Sequence, residues 1–381
     1  MKDVFVVSDN IISPVGKTSA ENFHALTKGI SGIKHHILPS ISATPFYASL
    51  LEKELIETQN PGALTRFEQL LVLSIRTALQ NSAIEISSPS TIVIISSTKG
   101  NISLLEKGNI SDDEKEQIGL PASAKKIAGH FKLANTPLII SNACISGLTA
   151  LLTGKRLLEM GKYKNAVVAG ADIISAFILS GFQSFQAISA QPCRPFDAER
   201  NGITLGEAAA TIILSTERDN SAIKLTGGAV SNDANHISGP SRSGQELCMA
   251  INKAMQQANI SATDIGFISA HGTATVYNDE MEAKAFSLAG METIPLNSLK
   301  GYYGHTLGAA GIVESVIAIR SLQQGTMIAT KGYQQPGVSK SVNVCKELIS
   351  IETDHCLKTA SGFGGCNAAL VFSKHLINFS E

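Results

Sequence analysis

The sequence carries no excess of either charge: 31 Lys and Arg stand against 32 Asp and Glu, a formal net charge of -1. Nothing in that balance calls for nucleic acid or a membrane surface as partner. A small-molecule or protein-borne substrate is the expectation. No run approaches the roughly 18 consecutive apolar residues of a membrane span. The opening "MKDVFVVSDNIISPVG" has a short apolar stretch cut by Asp9 and Asn10, without a long leader-like core or cleavage site, and reads as cytoplasmic. The six cysteines include no C-x-x-C pair and none of the density of a disulfide framework, so reduced thiols are the default. There is no G-x-S-x-G elbow of a serine hydrolase, no low-complexity tract, and no long linker between independent domains.

What is present is a core-forming chain of 381 residues, 44% apolar and 17% charged. That length exceeds the usual single core and predicts two domains or one two-lobed unit. Strand-length β-branched runs recur as "VFVVS", "TIVIISS", "PLIIS", "NAVVAGAD", "AAATIILS", "IGFISAHG" and "NAALVFSK". Helical spacing of apolar positions covers 64–82, 146–160, 244–258, 279–289 and 308–323. The alternation predicts an α/β protein, and the fully apolar strands predict sheets covered on both faces. The most polar mid-chain join, "TERDNSAIKLTGG", places a boundary between two lobes near 220, giving lobes of 1–220 and 221–381. "NACISGLTALLTGKRLLEMGK" and "YGHTLGAAGIVESVIAIRSLQQG" echo one another, each a reactive side chain, then small residues, then an amphipathic helix.

Cys144 lies between the apolar "PLII" and a helix starting near Ser146. At a helix N-terminus the thiolate is favoured, and the ordinary thiol pKa of about 8.5 falls. A buried structural thiol and a metal ligand remain alternatives on these residues alone. His271 in "SAHGTAT" and His305 in "KGYYGHTLGAAG" each follow an apolar strand and enter a small-residue turn, where α/β proteins place their chemistry. Lys300 lies five positions before His305. In "SGFGGCNAALVF", glycines 362, 364 and 365 let backbone N–H groups turn toward a ligand, as an oxyanion hole requires. Cys144, His271 and His305 are far apart in sequence and none belongs to a short-range ligand pair, so no metal is expected.

Taken in order, these blocks resemble the β-ketoacyl-acyl-carrier-protein synthases, in particular their elongating Cys-His-His class, over nearly the whole chain. "VVSDNIISPVGKTSAENFHALTKGISGI" is similar to that family's N-terminal strand and loop, "NACISG" to its nucleophile turn, and "RPFDAERNGITLGEAAATIIL" to its mid-chain loop and strand. "AHGTAT", "LKGYYGHTLGAAGIVE" and "GFGGCNAAL" correspond to its two histidine motifs and its glycine-rich C-terminal motif. The resemblance implies a thiolase-like fold, two pseudo-symmetric lobes in a layered α-β-α-β-α arrangement, with the N-terminal lobe carrying the cysteine and the C-terminal lobe both histidines and the glycine-rich loop.

It also implies the chemistry. Cys144 would carry the acyl group, the N–H groups of Cys144 and Phe363 would take the oxyanion with Gly364 beside them, and neutral His271 and His305 would serve a malonyl thioester as carbon dioxide leaves. Lys300 would pair with Glu314, Thr273 and Thr275 would hold the pantetheine arm, and Phe363 would gate the cysteine. No tightly bound cofactor is implied, because substrates ride on the phosphopantetheine of an acyl carrier protein. That partner is acidic as a class, which makes Lys125, Lys126 and Arg194 candidates for docking. The family is usually dimeric, as a homodimer or with a related ketosynthase-like chain.

The sequence departs from the family at Ile145, at Cys366 where threonine is usual, and in a trimmed stretch before "PLIIS". These departures tilt the pathway toward a specialised polyene or polyketide synthase rather than housekeeping fatty-acid elongation. Two other functions compete. A non-catalytic chain-length-factor-like partner would lack the cysteine, and a thiolase would use a second cysteine, for which Cys366 stands close, but would lack the paired histidine motifs.

Overall fold

A computed structural model describes residues 2–52, 64–218 and 222–375. The boundary expected at 220/221 lies outside the described residues. Five strands form the first sheet: β1 (Phe5–Ile12), β2 (Thr91–Ser96), β3 (Leu138–Ile140), β4 (Asn165–Asp172) and β5 (Ala208–Ser215). Their order is β1-β5-β4-β2-β3, with the first two pairings antiparallel and the last two parallel. The second sheet has β6 (Ile223–Asn232), β7 (Ile265–Ser269), β8 (Pro295–Asn297), β9 (Asn343–Val344), β10 (His355–Gly362) and β11 (Cys366–Lys374). It runs β6-β11-β10-β7-β8-β9, again two antiparallel pairings followed by parallel ones. One topology is thus drawn twice, and the sheets join where Phe5 of β1 pairs with Lys224 of β6.

The helices that bear on the sheets and the site are α1 (Arg66–Gln80), α2 (Leu120–Phe131), α3 (Ser146–Glu159), α4 (Ala176–Ser184), α5 (Gln245–Ala258), α6 (Val276–Leu288) and α7 (Ala310–Gln324). Alternate residues of each buried strand serve different cores, as the period of two requires. Ile92 and Ile94 of β2 and Ala166 and Val168 of β4 face α3 and α7. Val93, Ile95, Val167 and Ala169 face Phe67, Leu70, Leu71 and Ile75 of α1. In the second sheet Leu370 and Phe372 turn to the centre, while Ala369 and Val371 meet Leu247 and Ile251 of α5 and Phe286 of α6. The result is the expected five layers. Among the described residues no helix is long and apolar enough to cross a membrane.

The central helices are the two halves of the sequence echo, and they pack backbone to backbone. A Cβ on Gly147 of α3 would lie 2.8 Å from the Ile312 amide, and one on Gly311 of α7 would lie 2.7 Å from the Leu148 amide. Both glycines are therefore required by close approach, and that approach brings the starts of α3 and α7 together. Where α3 begins stands Cys144; ahead of α7 stands His305.

Of the strands named above, β6, β8, β9 and β10 went unread in the sequence, β8 and β9 being only three and two residues long. The polar join around 216–228 is in part β6, whose Gly227 and Gly228 break a β-branched pattern. They are small because a Cβ on Gly227 would strike the Ala254 carbonyl of α5, and one on Gly228 would lie 2.6 Å from the Leu370 side chain. β10 was missed because Lys358, Thr359 and Ser361 interrupt it with polar chains, all of them buried.

Candidate active site

Cys144 sits in the turn between β3 and α3, held there by local geometry. Ala143 adopts a left-handed φ of 43°, a conformation that costs of order 1–3 kcal/mol in a non-glycine residue and recurs at functional sites. Ser146 braces the turn: its hydroxyl donates to the Ala143 carbonyl at 2.6 Å and accepts from the Asn142 amide at 2.8 Å. Gly362 closes against the turn from β10, where a Cβ would lie 2.9 Å from the Cys144 amide. The helix does start at Ser146. The thiol is only 8% exposed, however, and burial pushes its pKa up to about 12, against the pull of the Lys300 ammonium and a Phe363 backbone N–H. The expected thiolate at a helix end is therefore corrected: loss of hydration around the sulfur outweighs the pull of Lys300 and the Phe363 N–H.

This has a measurable consequence. Iodoacetamide alkylation of Cys144 in the resting protein, followed by peptide mass, should rise about tenfold per pH unit between about pH 7 and 9, since only the thiolate reacts. A plateau near pH 8 would show that the thiolate forms in spite of burial.

His271 leaves β7 with its backbone N–H on the Glu282 carboxylate at 2.8 Å, and the Gly272 N–H takes the other oxygen at 2.7 Å. His305 is fixed by its own N–H donating to the Thr204 carbonyl at 2.6 Å. The two rings stand edge to face, centroids 5.1 Å apart. At His305 the Leu307 amide donates to Nδ1 at 3.2 Å. At His271 the Lys300 ammonium stands 3.2 Å from Nδ1. A ring nitrogen that accepts a hydrogen bond carries no proton, so in both imidazoles the N–H is at Nε2. Nε2 of His305 is buried and finds no protein partner. Burial holds both rings well below the usual histidine pKa, with the Lys300 and Lys358 charges adding to the effect. They are neutral hydrogen-bond donors at physiological pH.

Behind them lies an ion network. Lys300 is fully buried and spends its three donors on the His271 carbonyl at 2.7 Å, His271 Nδ1, and Glu314 Oε1 at 2.6 Å. The expected Lys300–Glu314 pair is therefore internal. Sequence reasoning missed three neighbours. Lys358, 0% exposed, meets the other Glu314 oxygen at 2.7 Å. Glu282 anchors the His271 turn. Asp172, at the end of β4, accepts from the Ser97 hydroxyl at 2.7 Å and the Gly308 amide at 2.7 Å, tying the β2 loop to the His305 turn. Burial raises its pKa to about 6. A lone charged residue closing an otherwise apolar strand was the available signal for Asp172.

Cys144, His271, His305, Thr273, Thr275 and Phe363 line one cavity of about 420 Å³. Phe363 is 37% exposed and packs between Phe182 of α4 and Phe185, at ring separations of 5.8 and 5.5 Å. Gly364 does not contribute as expected, because its amide is committed to the Ile237 carbonyl at 2.7 Å. Cys366 points its thiol at the Phe363 carbonyl, 3.1 Å away, and is not in the cavity wall. Lys125, Lys126 and Arg194 are also absent from that wall. Lys125 and Lys126 lie on α2 in the outer layer, where Lys126 pairs with Glu68 at 3.2 Å; Arg194 is half-buried beside Gly332.

One ligand atom from each of Cys144, His271 and His305 falls within 4.8 Å of the others, a spacing that would also suit a cation. The positive field of Lys300 and Lys358, which depresses both imidazoles, opposes one. What this field and two buried N–H donors do favour is negative charge developing on an oxygen next to the sulfur.

Residues 1–220 match the family model described as beta-ketoacyl synthase, N-terminal domain, and residues 223–334 that of the C-terminal domain. A 3-oxoacyl-[acyl-carrier-protein] synthase 2 of Vibrio harveyi is 29% identical, across 97% of this chain and 98% of the relative. Among solved structures, a chain of the ketosynthase and chain length factor complex from Xenorhabdus doucetiae is 25% identical with a TM-score of 0.86, covering 98% of both chains. A beta-ketoacyl synthase from Burkholderia phymatum shares the fold, with a TM-score of 0.88 at 23% identity over 99% of this chain and 100% of that one.

Proposed function

This chain belongs to the β-ketoacyl synthase family, and from that premise we propose that it condenses an acyl group held on Cys144 with malonyl-acyl-carrier protein, in fatty-acid or polyketide-type chain elongation. The observation that carries the reading is the convergence of the Cys144 sulfur and two imidazoles within 4.8 Å, both rings with Nδ1 occupied and Nε2–H left for substrate.

In the first half-reaction the sulfur of Cys144 attacks the acyl carbonyl, the carrier's pantetheine sulfur leaves, and the thiol proton ends on that departing sulfur. The N–H groups of Cys144 and Phe363 receive the oxyanion as it forms. In the second, the bond between the malonyl methylene and its carboxylate breaks, carbon dioxide leaves, and the electron pair becomes an enolate whose oxygen takes hydrogen bonds from His271 and His305. The enolate carbon attacks the acyl-enzyme carbonyl. Cys144 departs as thiolate and regains a proton from solvent, leaving a β-ketoacyl thioester two carbons longer.

Thr273 and Thr275, whose hydroxyls are 2.9 Å apart in the cavity wall, hold the pantetheine arm. The acyl carrier protein is the partner, in the cytoplasm. The chain works as a dimer with itself or with a related ketosynthase-like chain, the second being the kind of assembly solved for the Xenorhabdus doucetiae relative. A non-catalytic subunit would have no use for a nucleophile turn built and braced around Cys144.

The test supplies the purified chain with acyl-carrier protein and then malonyl-carrier protein. Release of carbon dioxide and a β-ketoacyl product by intact mass is the expected outcome. Condensation of acetyl-CoA with no malonyl consumed would mark a thiolase instead, and product formed only when a second ketosynthase-like chain carries the acyl group would mark a partner subunit.

A further inference from the structure

The Lys300–Glu314 pair would be electrically complete on its own, yet a second ammonium is buried against the same carboxylate. Lys358 Nζ donates to the Ser269 and Ala270 carbonyls at 3.1 Å each and pairs with Glu314 Oε2 at 2.7 Å. Resting on the function proposed above, we propose that Lys358 is a positioning residue of the decarboxylation step, fixing the backbone ahead of His271 and the Glu314 carboxylate so that both imidazoles aim at one enolate oxygen.

Three elements meet at this one side chain. It springs from β10, five residues before Phe363; the carbonyls it holds end β7, immediately before His271; and Glu314 belongs to α7, the helix that follows His305. Its strand neighbours Cys356, Leu357 and Ala360 are at most 1% exposed, so an apolar chain would satisfy packing there without the cost of dehydrating a charge. The groups facing it are Lys300, Glu314 and, through Thr359, Glu282, whose Oε1 accepts from the Thr359 hydroxyl at 3.1 Å. Glu314 and Glu282 stand beside the two ammonium groups, yet at both imidazoles it is the Lys300 and Lys358 charges that act. That field favours an enolate and disfavours an imidazolium. An imidazolium would also be misplaced, since Nδ1 of each ring already faces a donor, Leu307 or Lys300.

Lys358→Met leaves Glu314 paired with Lys300, so no buried carboxylate is orphaned and the fold should survive. Lys358→Gln keeps hydrogen-bond donors but not the charge. The measurements are Cys144 acylation by mass, malonyl-carrier-protein decarboxylation from about pH 5 to 9, and thermal melting. In Lys358→Met, decarboxylation should fall on the order of 10²-fold, the scale of an ångström-sized misplacement, while acylation stays within about threefold, because that step uses the Cys144 and Phe363 amides. The acid limb of decarboxylation should also move up, by roughly one pH unit for the loss of one nearby charge, as both histidines rise toward their ordinary pKa. Lys358→Gln should recover part of the rate at pH 8 but keep the displaced limb. Wild-type rates and an unshifted limb in both variants would overturn the inference, as would parallel loss of both half-reactions together with the melting temperature. A wild-type protein inert toward malonyl-carrier protein would remove the underlying function, and this inference with it.

Discussion

Cys144→Ala is expected to abolish the mass increment that acyl-carrier protein leaves on the wild-type chain, and to lower condensation by on the order of 10⁶-fold, the scale on which removing a covalent nucleophile acts. The other five cysteines are buried, and none of them lines the cavity that holds His271 and His305, so no second thiol can take over. Structure should be preserved: the side chain is small, it borders an existing cavity, and losing one sulfur's worth of buried surface costs about 1 kcal/mol. The braces of the turn, Ser146 and Gly362, do not depend on the thiol. Malonyl decarboxylation should persist in this variant, because the histidine donors are untouched, and the enolate, finding no acyl-enzyme, takes a proton to give an acetyl thioester. An acyl increment that survives the substitution would move the nucleophile elsewhere. Loss of decarboxylation as well, at an unchanged melting temperature, would mean the thiol takes part in both half-reactions.

What the sequence exposed and what it concealed divide along a physical line. Cys144, His271 and His305 were legible because each follows a strand and enters a turn, a local pattern that places a side chain at the rim of an α/β sheet whatever the rest of the chain does. The likeness between the Cys144 and His305 segments reported a real duplication, since the glycines that make the two look alike, Gly147 and Gly311, are those the α3–α7 contact demands. Lys358, Asp172 and Glu282 stayed hidden because their partners are distant in sequence. Lys358 even obscured the strand that bears it. The thiol's pKa was misjudged because a helix start is local information, whereas depth is set by Gly362 and the opposite lobe closing over the sulfur. Lys126 was a docking candidate on sequence, yet α1 supplies the Glu68 that pairs with it.

His305→Ala separates the two half-reactions. Removing one preorganised donor from a developing oxyanion costs on the order of 10²–10³-fold, and decarboxylation should fall by that much. Acylation of Cys144 should remain within about threefold, since its oxyanion is held by the Cys144 and Phe363 amides. The Leu307 N–H loses its acceptor, Nδ1, at a residue already strained at a φ of 51°. An orphaned buried amide costs about 1–3 kcal/mol, so the melting temperature should drop by a few degrees, and the comparison with acylation tells this loss from collapse of the loop. The sharper variant is His305→Gln, whose side-chain amide can place an N–H close to where Nε2 stands but cannot act as an acid or base near neutral pH. If His305 works as a neutral donor, as its Leu307 contact and its depressed pKa require, glutamine should restore roughly tenfold of the lost decarboxylation. The wild-type rate should likewise show no titration near the ordinary histidine value of about 6.5, because the ring is neutral both above and for some way below it. No rescue by glutamine, together with a wild-type acid limb centred near 6.5, would instead make His305 a proton-transfer group and reassign the enolate's hydrogen bond to His271 alone.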